Sequence, residues 1–276
     1  MRHAVAEHYH QRLQTDQIIQ RLQKAYPDGP GPFQLAPVDQ LHIGGIKASQ
    51  KLLTRLAELR PSNVLDIGSG LGGLQRLANN ELDLNIVGLD ITHALNHINQ
   101  QLSVLCQTQT QAVTGDAHHL PFADARFDAV IFQHSLLNMP DTEQVLSECQ
   151  RILKPGGYLL LHEVVQGDAH NTMRYPVPWA RSAETSHLLD QEALVALLAP
   201  HFEVLDMNDW SDDALRWRKR QSEKEAANAD SAKTPPVSPA LILGPEFAQM
   251  GSNVMKNLAG NAARVIELCA QRRVLD

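Results

Sequence analysis

Apolar residues follow two rhythms along the chain. From Val5 through Tyr9, Leu13, Ile18, Ile19 and Leu22 the spacing is roughly helical, and Tyr26-Pro27-Asp28-Gly29-Pro30-Gly31-Pro32 stops it. Residues 33–45 carry no rhythm and read as irregular. Helical spacing returns at Ile46, Leu52, Leu53, Leu56 and Leu59, closed by Pro61. From residue 63 short apolar runs alternate with helical patterns. Strands are expected at Asn63–Ile67, Leu84–Asp90, Ala112–Gly115, Phe127–Phe132 and Tyr158–Val165. A helix opens with Leu74, Leu77 and Ala78, a second spans about 92–106 with Thr92 as N-cap, and a third spans 141–153. Apart from Asp128, Phe127–Phe132 is apolar throughout, as a strand covered on both faces should be. Such alternation predicts an α/β fold, a parallel sheet with crossover helices.

The second half is less regular. Residues 166–186 break the alternation with His170, Arg174, Tyr175, Pro176, Pro178, Trp179 and Arg181. A helix at 190–199, capped by Asp190, and a strand at 202–207 resume it. Trp210 to about 226 reads as a charged helix, and the Ala/Ser/Pro-rich 227–240 as a mobile linker. Gly244–Asn261 looks helical, while Val265–Val274 fits either a final strand or continued helix. No internal repeat is visible.

Composition narrows the classes. With 43% hydrophobic residues in 276, the chain can bury a substantial core. A net charge of −7 argues against a nucleic-acid partner, because duplex binding depends on Lys and Arg at phosphates. The basic run Arg216-Trp217-Arg218-Lys219-Arg220 is answered by Glu223 and Glu225 and reads as a solvated helix face. Cys106, Cys149 and Cys269 are widely spaced in apolar surroundings, as free thiols in a reducing compartment. No apolar leader and no run of about 18 apolar residues occurs. A soluble, cytoplasmic protein without a membrane partner is expected.

The candidate chemistry begins at Val64-Leu65-Asp66-Ile67-Gly68-Ser69-Gly70-Leu71-Gly72-Gly73, a strand, a glycine-dense turn and a helix start. Gly68 and Gly70 allow positive φ and close approach of a ligand, and the helix start presents unpaired N–H groups above the turn. Gly68, Gly70 and Gly73 match G-x-G-x-x-G, with Asp90 about 20 residues on, a pattern that suits a nicotinamide dinucleotide. Asp66, two residues ahead of the first glycine, would repel a pyrophosphate there and favour a sulfonium- and ammonium-bearing ligand. Gly115-Asp116-Ala117 supplies another acid after the third strand, suited to an adenine amino group. His93 and His97 stand four apart without the Glu of a zinc-protease signature, and His118-His119 has no partners at ligand spacing, so no metal is expected.

With Arg126-Phe127-Asp128-Ala129-Val130 and Arg151-Ile152-Leu153-Lys154-Pro155-Gly156-Gly157 at their spacing, the chain resembles the class I S-adenosylmethionine-dependent methyltransferases over nearly all its length. Asp39-Gln40-Leu41-His42-Ile43-Gly44-Gly45, Gln133-His134-Ser135-Leu136-Leu137-Asn138, Pro176-Val177-Pro178-Trp179-Ala180-Arg181 and Leu243-Gly244-Pro245-Glu246-Phe247 make it most similar to the bacterial sarcosine/dimethylglycine N-methyltransferase-like group.

The resemblance implies a Rossmann-like fold of seven mostly parallel strands, helices on both faces, an N-terminal helical cap and an inserted C-terminal helical lid. It divides the chain into a cap at 1–60, a donor-binding core at 61–207, and a helical insertion at 208–276 whose last element completes the sheet. S-adenosyl-L-methionine is the implied cofactor and S-adenosyl-L-homocysteine its product. Asp66, Gly68, Ser69 and Gly70 are implied at its methionine part, Asp90 at the ribose hydroxyls and Ile91 on the adenine. Asp116 and Ala117 would meet the adenine edge, Gln133 the methionine moiety, and Gln40 and His42 would lie in a closing segment. His134 is the candidate base or acceptor anchor. His162 and Glu163 are weaker acceptor contacts, and Arg174 or Arg181 could grip an acceptor carboxylate in bidentate fashion. The implied reaction is in-line methyl transfer to a small molecule, with the amine nitrogen of a glycine derivative first. The alternatives are oxygen or carbon of a natural product or quinol-like acceptor, or a nicotinamide-dependent oxidoreductase. A homodimer is compatible with the pattern.

Overall fold

Seven strands form one sheet in the order β3-β2-β1-β4-β5-β7-β6. The computed structural model describes residues 15–227 and 236–274. Its strands are β1 (Val64–Ile67), β2 (Ile86–Asp90), β3 (Gln111–Thr114), β4 (Phe127–Gln133), β5 (Leu153–Gln166), β6 (Phe202–Asp209) and β7 (Ala263–Arg272). β1 to β5 run parallel, and β7 lies antiparallel to both β5 and β6. This is the seven-stranded, mostly parallel sheet that the resemblance implies, and β7 departs from the parallel sheet that the alternation alone predicts. The stretch that fitted either strand or helix is a strand. Wedged between β5 and β6, β7 is apolar on both faces and so lacks the period-two signal that would have identified it.

The helices are α1 (Thr15–Ala25), α2 (Pro32–Asp39), α3 (Ile46–Leu59), α4 (Gly73–Leu82), α5 (His93–Leu105), α6 (Thr142–Ile152), α7 (Gln191–Leu198), α8 (Ser211–Ala227), α9 (Ala240–Leu243) and α10 (Phe247–Ala259). α2 corrects the irregular reading of 33–45. Pro32 opens it at a position where no N–H is needed, and Leu35 and Val38, three apart, are wholly buried. Pro37 forgoes one intrahelical bond, which is why the segment carries no clean helical signal. Asp190 caps α7 as expected, its Oδ1 accepting the Ala193 N–H at 2.7 Å. Thr92 makes no such side-chain cap on α5. Val5, Tyr9 and Leu13 of the first expected helix, and 228–235 of the expected linker, lie outside the described residues.

Alternate strand residues feed opposite faces of the sheet. Leu65, Val130, Phe132, Leu159 and Leu161 join the cluster against α6 and α7, while Val64, Ala129, Ile131 and Leu160 join the one against α3 and α4. A third cluster brings α1 and α5 together with the segment at 237–242. Ile18 and Leu22 of α1 pack with Leu95, Ile98 and Leu102 of α5, with Leu71, and with Val237, Leu241 and Ile242. Each such fully buried Leu or Ile contributes roughly 1.5–3 kcal/mol. A fourth cluster joins Val177 and Ala180 to Trp210, Val254 and Leu258. The sheet therefore carries cover near its β1–β4 junction, where the strand order reverses and ligands bind in folds of this kind. Among the described residues no helix is long and apolar enough to cross a membrane, and the three cysteines are free.

Candidate functional site

At the carboxyl end of β1 the chain turns sharply and starts α4. The N–H groups of Gly68 and Ser69 both donate to the Leu89 carbonyl, at 2.7 and 3.1 Å, which ties the turn to β2. Gly68, Gly70 and Gly72 all have positive φ. Their missing side chains serve different ends. A Cβ on Gly68 would lie 2.3 Å from the Ser135 Cβ, so this glycine admits the segment after β4. A Cβ on Gly70 would meet nothing within 4 Å, because it opens onto a cavity. Close approach of a ligand therefore belongs to Gly70. The Ser69 hydroxyl is buried without a partner, against Gly88.

Three acids line that cavity at the ends of β1, β2 and β3. Asp66 is 4% exposed, and its carboxyl receives no hydrogen bond from the described residues. Burial, with the charge of nearby Asp90, pushes its pKa up to about 7. Asp90 is held in place instead: Thr92 N–H donates to its Oδ1 at 2.8 Å and Gly70 N–H to its Oδ2 at 3.0 Å. Burial raises its pKa against those bonds. Asp116 Oδ1 accepts the His118 N–H at 2.9 Å and lies 2.6 Å from His118 Nδ1, while His118 Nε2 meets the Pro140 carbonyl. Ile91 and Ala117 complete this side of the wall.

Opposite them stands the exit of β4. Gln133 and His134 line the cavity together with Leu137, Pro178, Trp179 and Leu243, and with His42 and Ile43 from the segment before α3. His134 has φ +54, and its N–H donates to the His162 carbonyl at 2.8 Å. Its ring stacks on His162 at 5.0 Å between centroids, with His42 6.0 Å away. Burial and the neighbouring imidazoles hold His42 at about 3 and His134 well below the usual histidine range, so both are neutral at physiological pH. Among the described residues no group of three or more His, Cys, Asp or Glu is arranged to hold a metal ion.

Asp66, Gly68, Ser69, Gly70, Asp90, Ile91, Asp116, Ala117, Gln133, His134 and His42 therefore surround one cavity. The other expected residues lie off its wall. Gln40 sits behind it, accepting the Ser49 hydroxyl at 2.6 Å, and Ser49 also reaches Gln133 Oε1 at 3.2 Å. His162 supports the stacked imidazole, with Nε2 2.9 Å from the Ile43 carbonyl. Glu163 accepts the N–H groups of Ser135 and Leu136 at 2.7 and 2.8 Å, fixing the loop after β4. Arg174 is exposed, its backbone paired with Asn257, and Arg181 faces Glu246 at 3.6 Å on the surface. Neither arginine reaches the cavity.

Sequence reasoning missed Asp39 and Arg76. Buried Arg76 of α4 donates to Asp39 Oδ2 at 2.8 Å, to Asn99 Oδ1 at 2.8 Å, and to the Leu71 carbonyl of the glycine turn. It thus joins the end of α2 to the turn itself. The spacing of 37 residues between the partners leaves no local pattern to find.

Residues 65–161 match the family model described as "Methyltransferase domain". Demethylmenaquinone methyltransferase of Thermotoga maritima is 32% identical over 130 residues, covering 47% of this chain and 54% of that protein. Fatty-acid O-methyltransferase of Mycolicibacterium smegmatis is 29% identical over 209 residues, 74% of this chain and 70% of that one. In structure, phosphoethanolamine N-methyltransferase 2 of Haemonchus contortus, solved with phosphomonomethylethanolamine and S-adenosylhomocysteine, superposes with a TM-score of 0.65 at 19% identity. That match covers 93% of this chain and 60% of the other. The chain spans about half the length of the first curated relatives it matches.

Proposed function

We propose, for a chain whose residues 65–161 are a class I S-adenosylmethionine-dependent methyltransferase domain, that it moves the donor's methyl group to a small molecule held beneath the cap. The observation that carries this reading is Asp66. A buried carboxyl without a hydrogen-bond donor, beside a glycine that opens on the cavity, asks for a cationic ligand. S-adenosylmethionine supplies a methyl group on a sulfonium centre and an ammonium group, whereas a dinucleotide would set phosphates against the carboxylate. Asp90 keeps its orientation through Thr92 and Gly70, which leaves outward lone pairs for ribose hydroxyls. In this reading Asp116 and Ala117, which line the cavity, meet the adenine edge, and Ile91 its face.

The chain's own contribution is alignment. Holding nucleophile and methyl carbon at near-attack distance can supply roughly 7–11 kcal/mol of the barrier. The flanking motifs favour an amine nitrogen on a glycine derivative as nucleophile. Against this, Arg174 and Arg181 lie off the cavity, so neither grips an acceptor carboxylate there. The names of relatives span oxygen, carbon and nitrogen chemistry.

Calorimetric titration tests the donor assignment. S-adenosylmethionine and S-adenosylhomocysteine should each bind with a stoichiometry of about one. Binding of a nicotinamide dinucleotide with neither of these would overturn it in favour of an oxidoreductase.

A further inference from the structure

We propose that the acceptor is an uncharged, largely apolar molecule that presents a hydroxyl group, and that His134 takes the hydroxyl proton as the methyl group arrives. The proposal rests on the donor reading above. It starts from the distribution of charge around the cavity. Asp39, Asp66, Asp90 and Asp116 line the β1–β3 side, and no Lys, Arg or Glu among the described residues lines the cavity at all. The facing wall is Ile43, Leu137, Pro178, Trp179 and Leu243, with His42 and His134 as its titratable groups. A carboxylate or phosphate seated there would find no cation, and an ammonium no carboxylate. Each would give up its hydration for nothing, at a cost of several kcal/mol. An apolar body loses nothing there.

The same wall holds polar atoms that lack partners. Gln133 Nε2 and Trp179 Nε1 are buried donors without acceptors. His134 lines the cavity, and its Nε2 is buried without a hydrogen-bond partner. A non-glycine residue at φ +54 carries about 1–3 kcal/mol of strain, and such strain collects at working sites. The loop is held in that shape from two sides, by the His162 carbonyl on the His134 N–H and by Glu163 on the next two N–H groups.

The titratable groups that face the His134 ring are His42, from the segment before α3, and His162 of β5, behind which Glu267 of β7 lies 3.7 Å from His162 Nδ1. Burial, with crowding by these imidazoles, keeps His134 neutral, so one ring nitrogen carries a lone pair.

In the step itself the acceptor oxygen forms a bond to the methyl carbon. The carbon–sulfur bond breaks with its electron pair left on sulfur, and the hydroxyl proton passes to the imidazole. One positive charge disappears from sulfur as one appears on His134, so the net charge of the site is unchanged. That conservation lets a weakly basic imidazole act here, because protonation coincides with loss of the neighbouring cation. The proton then leaves to solvent with the product.

Two experiments test this. First, the S-adenosylhomocysteine complex is titrated with 2-naphthol, sarcosine and phosphoethanolamine in a calorimeter. Binding of 2-naphthol alone is expected; binding of either charged amine without 2-naphthol overturns the acceptor class. Second, transfer of labelled methyl is followed at about pH 8 with 2-naphthol, which is still protonated there, and with 4-nitrophenol, which is then largely ionised. His134→Gln should lower kcat for 2-naphthol about 100-fold with KM within about twofold, and spare 4-nitrophenol. Its rate for 2-naphthol should also rise with pH toward that acceptor's own ionisation, a dependence the native protein lacks. Equal loss for both phenols would make His134 a packing residue, and 2-naphthol that binds without being methylated would refute the hydroxyl assignment. Loss of S-adenosylhomocysteine binding in the native protein would overturn the donor reading, whereas intact donor binding with transfer to sarcosine would overturn this proposal alone.

Discussion

Asp66→Asn separates what the buried carboxyl costs from what it does. In the free protein its pKa stands at about 7 against 3.8 for the unperturbed group. A carboxyl whose folded value is raised holds its proton longer in the folded state. Stability is therefore lost as pH rises from near 3.8 to about 7, and the loss is complete above that. Three pKa units correspond to about 4 kcal/mol, an upper bound because the group borders a cavity. Asparagine keeps the shape and carries no charge. The variant should match the native protein near pH 4 and exceed it above about pH 8. For a domain of this size that gain amounts to roughly 10 °C in Tm, read by scanning calorimetry.

Donor binding should move the other way. A cation bound beside Asp66 requires the ionised form, so the native Kd should rise tenfold per unit as pH falls below about 7, with close to one proton released per ligand. Paired buffers of different ionisation enthalpy report that proton. Asparagine abolishes the pH dependence and weakens binding above about pH 7, where the native carboxyl is ionised. A variant less stable than the native protein at pH 8, or one that binds the donor as tightly with the same pH slope, would refute the role given to Asp66.

Other substitutions divide the site into its parts. Gly70→Ala should keep the fold at a cost of about 1–2 kcal/mol for a left-handed alanine, yet weaken donor affinity at least tenfold in the same titration, because its Cβ enters the open space. Gly68→Ala drives its Cβ into Ser135, so its loss should appear first as a lower denaturation midpoint in urea. Arg76→Met leaves Asp39 buried without its partner and should cost about 3–5 kcal/mol in the same experiment. Glu163→Ala strips acceptors from the Ser135 and Leu136 N–H groups, for a loss of about 1–3 kcal/mol each, whereas Glu163→Gln retains one acceptor oxygen and should recover much of it.

What could be read from the chain was decided by neighbours in sequence. The strand–turn–helix at Val64–Gly73 announces itself because β1 is a short apolar run, and because the positive φ values at 68, 70 and 72 require glycine within a few residues of it. Asp66, Asp90 and Asp116 were legible for the same reason, each standing at or just past the end of a strand whose direction the alternation fixes. The failures are cases where distant chain decides. α2 is helical despite two prolines because Leu35 and Val38 find α1, α5 and the 237–242 segment to bury against. Arg174 and Arg181 had the right chemistry for an acceptor carboxylate, but a loop sequence does not say which way a long side chain turns, and Arg181 turns to Glu246. Nothing near Arg76 in the sequence sets it apart from any other charge on an amphipathic helix; Asp39, Asn99 and Leu71 close around it only in the fold. The imidazoles at 42, 134 and 162 belong to three separate elements, and only the pairing of β4 with β5 sets two of them face to face. Backbone propensity, acting locally, thus makes the glycine loop legible in the sequence. The wall that faces it is made by tertiary packing, and so its chemistry had to be read from the structure.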